Sequence, residues 1–351
     1  MVNGIDAYAN PWMDSPGAAP YPPFNLIVME IFSFLSSLPK PGIALVLYLA
    51  SLVLAMVLPV WWATRKLSNY KRVLLSLIFT VATLPGLATL DRGNNLVWSL
   101  PFLYKGLNEI IQGKFYRSIP FIAIAIGLRP QLAVFAVLFL LGREFTNFFK
   151  LVATTSVLYL LSFSYFTGFD FRETLIRYVQ HLFAYGSGIP DTWPPNISLA
   201  RGIKSILDLL SVTLSNQTII LISNIFLFLV MSKIILLYRK IGLLTAILTL
   251  IPVIFLLAPM TWAYYGTYLI VLIALMIAAN SSVTSLGGGS KFFGVTYLLC
   301  ISFTLSTLFL PFLINYDNLV QFLVPILWTL HYSIYLLMPI KKANRVQFGR
   351  S

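Results

Sequence analysis

Nine apolar runs, each close to the length of a bilayer-spanning helix, constrain this chain more than any other feature. They fall near 42–64, 73–90, 95–111, 149–168, 217–238, 241–259, 262–280, 292–313 and 318–339. About 20 helical residues cross the ~30 Å hydrocarbon layer of a bilayer. Backbone polar groups in lipid must bond within their own segment, so each run is expected to be helical. Only 10% of the 351 residues are charged and 58% are hydrophobic, whereas a soluble domain carries about 25% charged residues. No stretch between the runs is long enough for a soluble domain. The expectation is an all-α polytopic membrane protein, a single transmembrane domain over 1–351 with about nine spans.

Two more apolar stretches do not fit a simple span. Residues 22–38 are short, contain Glu30 and are bounded by Pro22, Pro23 and Pro39. Residues 118–142 are long enough, but Arg129-Pro130 lies in their middle. The excess of Lys and Arg, a formal net charge of +13, arbitrates, because cations collect in cytoplasmic loops. Arg65, Lys66, Lys71 and Arg72 follow the first span, and Lys341, Lys342, Arg345 and Arg350 close the chain. Let 22–38 lie along the outer surface, and let 118–142 enter and return as a hairpin with Arg129-Pro130 at its tip. Then sixteen of the 24 cations fall inside, including Arg239-Lys240 as an inner loop, and nine of the eleven acids fall outside. The charge thus records topology and not a nucleic-acid partner. The expected divisions are an outer loop and interfacial helix (1–41), N-terminal helices with the hairpin 118–142 (42–168), an outer loop (169–216), C-terminal helices (217–340) and a cytoplasmic tail (341–351).

Several classes drop out. Cys300 is the sole cysteine, so no intramolecular disulfide forms. With one Cys and the distant His181 and His331, no metal site is expected. There is no phosphate-binding Walker loop to support ATP-driven transport. Residues 1–21 are polar and rich in Pro and Gly, unlike a cleavable signal.

The same topology gathers three polar features on the outer face: the 1–40 segment, the Asp91-Arg92-Gly93-Asn94-Asn95 turn and the 169–216 loop. Arg129 is the most informative residue. A cation within a span costs about 2.5–3.5 kcal/mol on insertion scales, so it normally faces protein, water or a charged partner. It is expected either to hold a lipid phosphate or to snorkel or pair with an acid such as Asp91. The 91–95 turn reads either as helix capping, which Asn favours, or as amides that bind hydroxyls or phosphate. Pro259-Met260-Thr261-Trp262-Ala263-Tyr264-Tyr265 is either an interfacial aromatic belt or a platform for apolar sugar faces. Trp193, in Asp191-Thr192-Trp193-Pro194-Pro195-Asn196, suits carbohydrate or any interfacial loop. Asn196-Ile197-Ser198 and Asn216-Gln217-Thr218 match the glycosylation pattern, which also occurs by chance.

In this order, four motifs resemble glycosyltransferase family 87, the polyprenol-phosphate-mannose-dependent mannosyltransferases of the GT-C membrane fold. They are Tyr21-Pro22-Pro23-Phe24, Gly93-Asn94-Asn95, Gly127-Leu128-Arg129-Pro130 and Leu257-Ala258-Pro259-Met260-Thr261-Trp262. The resemblance covers about residues 1–280. It implies a GT-C-like bundle and an inverting hexosyltransferase of the cell membrane. Such an enzyme takes a sugar, usually mannose, from a polyprenyl phosphate on the extracytoplasmic side and passes it to a glycan or glycolipid acceptor, with no cofactor. On this reading Arg129, Asp91, Arg92, Asn94 and Asn95 are expected at the donor, and Tyr21, Trp262, Tyr264 and Trp193 at the substrate.

An Asp in the first outer loop is expected to be the base. Asn3-Gly4-Ile5-Asp6-Ala7-Tyr8 looks like a later segment of the family pattern. The base is therefore expected at Asp6, at Asp14, or upstream of Met1 in residues lost through a misplaced start codon or a truncated gene. Tyr264 stands where many relatives have His. The alternative expectation is a multi-pass transporter or lipid flippase, which calls for paired ionisable residues on several helices.

Overall fold

The computed structural model describes residues 22–36, 41–80, 83–167, 172, 175–176, 178–180, 198–254, 263–278, 326–327 and 329–334. Among them the chain is helical, with no strand. Helix α1 (Pro23–Ser36) begins where Pro22 and Pro23 favour a first helical turn. Helix α2 (Pro41–Ala63) stops at Thr64, whose hydroxyl donates to the Val60 carbonyl at 2.7 Å. Arg72 covers that helix end: its guanidinium lies 3.8 Å over the Trp61 ring, and Nη2 donates to the Trp61 carbonyl at 3.2 Å.

The expected span at 73–90 is divided into α3 (Asn69–Phe79) and α4 (Leu84–Arg92). Thr80 and Thr83 turn their hydroxyls back onto the Ser76 and Thr80 carbonyls, competing with the helical ladder. Thr83 then caps α4 by accepting from Gly86 N at 3.3 Å, with Pro85 in the first turn. The expected span at 95–111 starts as a 3-10 segment, Asn95–Trp98, and continues as α5 (Ser99–Ile111).

Helix α6 (Phe115–Leu128) is interrupted at Arg129. A 3-10 segment, Pro130–Ala136, and the short α7 (Val137–Leu141) follow. The chain doubles back: Phe139 meets Phe115 edge to face, centroids 5.4 Å apart, and a Cβ on Gly142 would lie 2.7 Å from the Phe115 ring. Helix α8 (Phe145–Thr167) packs along α6 and α1.

After α9 (Leu199–Leu209), α10 runs unbroken over Asn216–Val253. This corrects the expected inner loop at Arg239-Lys240 between two separate spans. Nothing there breaks a helix: both residues are good helix formers, and no Gly or Pro stands beside them until Gly242. A 3-10 segment, Ala263–Thr267, leads into α11 (Tyr268–Ala278). The described part of the expected last span is helical at 329–334, where Tyr332 Oη donates to the Thr249 carbonyl at 2.9 Å.

Among the described residues, three helical stretches are long and apolar enough to cross a membrane: Gly42–Ala63, Phe145–Tyr165 and Asn216–Tyr238. The main core lies inside them, where α5 packs on α2, α6, α10 and α11. The expected span at 292–313 lies outside the described residues.

Candidate functional site

The polar centre forms where helices end early. At the end of α4, Gly93 takes the left-handed conformation (φ 55°, ψ 38°), which residues with a Cβ adopt at a cost. Its N–H and that of Asn94 return to the Leu90 and Thr89 carbonyls at 3.2 and 2.9 Å, closing the helix. Tyr48 of α2 donates its hydroxyl to the Gly93 carbonyl. Asn94 is extended, and its Oδ1 accepts from Leu96 N at 2.9 Å, capping the 3-10 segment. Asn95 then enters the core, 1% exposed.

Arg129 reaches the same point from α6. Pro130 lacks an N–H and disfavours helical geometry in the residue before it. Arg129 is accordingly extended (φ −148°, ψ 102°). Its side chain, 6% exposed, donates from Nη2 to Asn94 Oδ1 at 3.1 Å and to Asn95 Oδ1 at 2.8 Å. Hydrogen bonds to a charged group contribute about 1.5–3 kcal/mol. The two amide oxygens solvate the guanidinium, so Arg129, Asn94 and Asn95 form one hydrogen-bonded cluster.

A third element completes the cluster. Asn25, in the first turns of α1, is fully buried. Its Nδ2 donates to Asn95 Oδ1 at 3.2 Å and to the Leu128 carbonyl at 3.3 Å, and its Oδ1 accepts from Asn95 Nδ2 at 2.6 Å. Phe24 beside it packs on α6 at Gly127, where a Cβ would lie 3.1 Å from the Phe24 ring and 2.5 Å from Leu158. Three of the four motifs therefore meet: Pro22-Pro23-Phe24 carries Asn25, the Gly93 turn carries Asn94 and Asn95, and Gly127 and Pro130 flank the approach of Arg129.

The fourth motif, with Trp262, lies outside the described residues, as do Asp6, Asp14, Tyr21 and Trp193. Tyr264 belongs to the 3-10 segment Ala263–Thr267, which packs on α4; there a Cβ on Gly266 would lie 2.7 Å from Pro85. Gln131, two residues past Arg129, donates to Tyr265 Oη at 3.0 Å. Tyr268 Oη lies 3.4 Å from Ser99 Oγ at the start of α5. Asp91 is exposed and Arg92 ends α4.

Tyr178, from the expected outer loop, is 5% exposed and packs with Leu26 and Phe163, its ring centroid 5.9 Å from that of Phe163. Burial pushes its phenol pKa up, while the positive charge of Arg129 acts in the opposite direction. His331 is buried against Tyr332 on the α10 side, centroids 5.3 Å apart.

Asn25, Gln131 and Tyr268 carry no motif in the sequence, whereas Tyr265 closes the 259–265 aromatic stretch noted above. The one available signal was Asn25 itself, a lone amide in an apolar run whose expected role was to lie on a surface. Among the described residues no group of three or more His, Cys, Asp or Glu side chains gathers.

The family model for glycosyltransferase family 87 matches residues 20–239. That stretch takes in Asn25, the 93–95 turn and Arg129, and stops short of Tyr265. No curated protein matches the chain.

Proposed function

The chain belongs to glycosyltransferase family 87 and is a membrane glycosyltransferase, and from that premise we propose that it transfers mannose from a polyprenyl phosphate to a glycan or glycolipid acceptor on the extracytoplasmic face. The observation that carries this reading is the buried Arg129 guanidinium, which donates to Asn94 Oδ1 and Asn95 Oδ1 at the broken end of α6. Transfer from a phosphate-linked sugar breaks the bond between the anomeric carbon and a phosphate oxygen, and negative charge grows on that phosphate. A preorganised cation in a site that excludes water stabilises such a charge most strongly. Arg129 is assigned that role, with Asn94 and Asn95 fixing the guanidinium and Asp91 and Arg92 on the approach. A carboxylate takes the acceptor's proton as its hydroxyl oxygen attacks the opposite face of the sugar, inverting the anomeric centre; Asp6 and Asp14 are the candidates. Tyr21, Trp193, Trp262 and Tyr264 are assigned to the sugar and acceptor, since aromatic faces stack on apolar sugar faces. Neither metal nor cofactor enters this scheme.

The test is transfer of radiolabelled mannose from polyprenyl-phosphoryl mannose to membrane glycolipid by the full chain in nanodiscs. Arg129→Ala is expected to lower the rate by about 100-fold or more, while the unfolding midpoint shows that the protein remains folded. Full transfer by folded Arg129→Ala would refute the assignment. Movement of the lipid between leaflets without any sugar transfer would favour a flippase.

A further inference from the structure

We infer that Asn25 is a positioning residue for the donor site: from α1 it orients the amide of Asn95 so that Asn95 Oδ1 accepts from Arg129. The inference rests on the reading of Arg129 as the phosphate-binding cation.

The two amides form a reciprocal pair, Asn25 Nδ2 to Asn95 Oδ1 at 3.2 Å and Asn95 Nδ2 to Asn25 Oδ1 at 2.6 Å. Such a pair has two self-consistent states, because turning both amides over restores both bonds with oxygen and nitrogen exchanged. Two outside contacts choose between them. At one end the Leu128 carbonyl accepts only, so it requires Asn25 to present Nδ2, at 3.3 Å. At the other end the Arg129 guanidinium donates only, so it requires Asn95 to present Oδ1, at 2.8 Å. Polarity is thereby relayed from the end of α6, through α1, to the 94–95 turn, and back to the residue that follows α6. All three side chains are buried. In a low dielectric, a reversed amide would set N–H against N–H beside a buried charge, a costly arrangement. Asn25 contacts neither the reacting atoms nor the phosphate in this scheme. It acts through Asn95.

Packing alone would also make Asn25 sensitive to substitution, so the experiment separates orientation from stability. Farnesyl-phosphoryl mannose is titrated onto the full chain in nanodiscs, and unfolding midpoints are recorded for every variant. Asn25→Ala is expected to weaken binding about 10- to 100-fold, the scale of one hydrogen bond to a charged group. Asn25→Asp keeps the volume but turns an acceptor toward the Leu128 carbonyl, and is expected to lose at least as much. Combining either with Arg129→Ala is expected to weaken binding no further than Arg129→Ala alone, since Asn25 acts only through that cation. Leu26→Ala, on the same helix and 3% exposed, should lower the midpoint without changing affinity.

Native-like binding by folded Asn25→Asp would overturn the inference, as would a loss that adds in full to that of Arg129→Ala. Either result would leave the phosphate reading standing. Normal binding by Arg129→Ala would bring down that reading and the inference with it.

Discussion

The long α8 and the short α5 are both apolar helices but are differently buried. In α8, which is 23 residues long, large hydrophobic residues such as Phe149, Leu161 and Tyr165 are each more than 60% exposed. In α5, only 13 residues long, Leu100, Leu103, Leu107 and Ile110 are completely enclosed. At 1.5 Å per residue α5 rises about 20 Å, too little to cross a bilayer alone. The length of α8 matches a membrane, and the length of α5 matches that of α6, on which it packs. Both polar junctions of the site, at residues 93–95 and at 129, lie at the ends of short elements. Shortness is thus what lets backbone turns and polar side chains enter the middle of an apolar bundle.

This contrast can be broken by substitution. The largest effect should come from emptying the inner layer. Leu103→Ala is expected to cost about 2–5 kcal/mol, whereas Leu236→Ala, at a site 78% exposed on α10, should stay within about 0.5 kcal/mol. Chemical unfolding in detergent measures both, and equal losses would erase the distinction. A smaller effect comes from filling space. On α5 a Cβ at Gly106 would lie 2.5 Å from Ile122 Cδ1, while at Gly42 on α2 it would meet nothing within 4 Å. Gly106→Ala should destabilise by about 1–3 kcal/mol, and Gly42→Ala should stabilise by about 0.4–1 kcal/mol. The same unfolding curves read the two signs, and matching signs would show that the inner layer has slack.

The smallest effect concerns pH at the edge of the site. The Tyr178 phenol is harder to ionise when folded, so its burial favours the folded state fully below the ordinary tyrosine pKa of about 10. That contribution declines as pH rises above 10 toward the raised folded value. Tyr178→Phe should therefore flatten the fall in unfolding midpoint above pH 10 and leave neutral pH little changed. An unchanged alkaline slope would mean that the phenol is open to water.

The legible parts of the fold were those where a polar or conformationally unusual residue interrupts apolar sequence. Arg129-Pro130 marked a reversal because a cation and a missing N–H cannot both be ignored in a span, and the Phe115–Phe139 contact shows the chain returning there. Gly93-Asn94-Asn95 marked a turn for similar reasons. Two kinds of feature were hidden. Arg239-Lys240 reads as a loop if charge marks the membrane boundary, yet α10 passes straight through it. Threonines at 80 and 83 looked harmless, yet their hydroxyls take over backbone carbonyls and end α3. Asn25 was hidden differently: its value lies in partners 70 and 103 residues away, and local pattern carries no trace of them.

The break at Arg129 also has an electrical meaning. Aligned peptide dipoles leave the C-terminal end of a helix with roughly half a negative charge, carried by carbonyls that lack intrahelical partners. The 14-residue α6 ends at Leu128, so any anion arriving at this junction approaches the repulsive pole of a helix, and the positive charge of Arg129 opposes that pole. Removing it does more than subtract an attraction; it exposes the pole beneath. Lysine at 129 would keep the sign but not the planar fork that two asparagine oxygens hold in place.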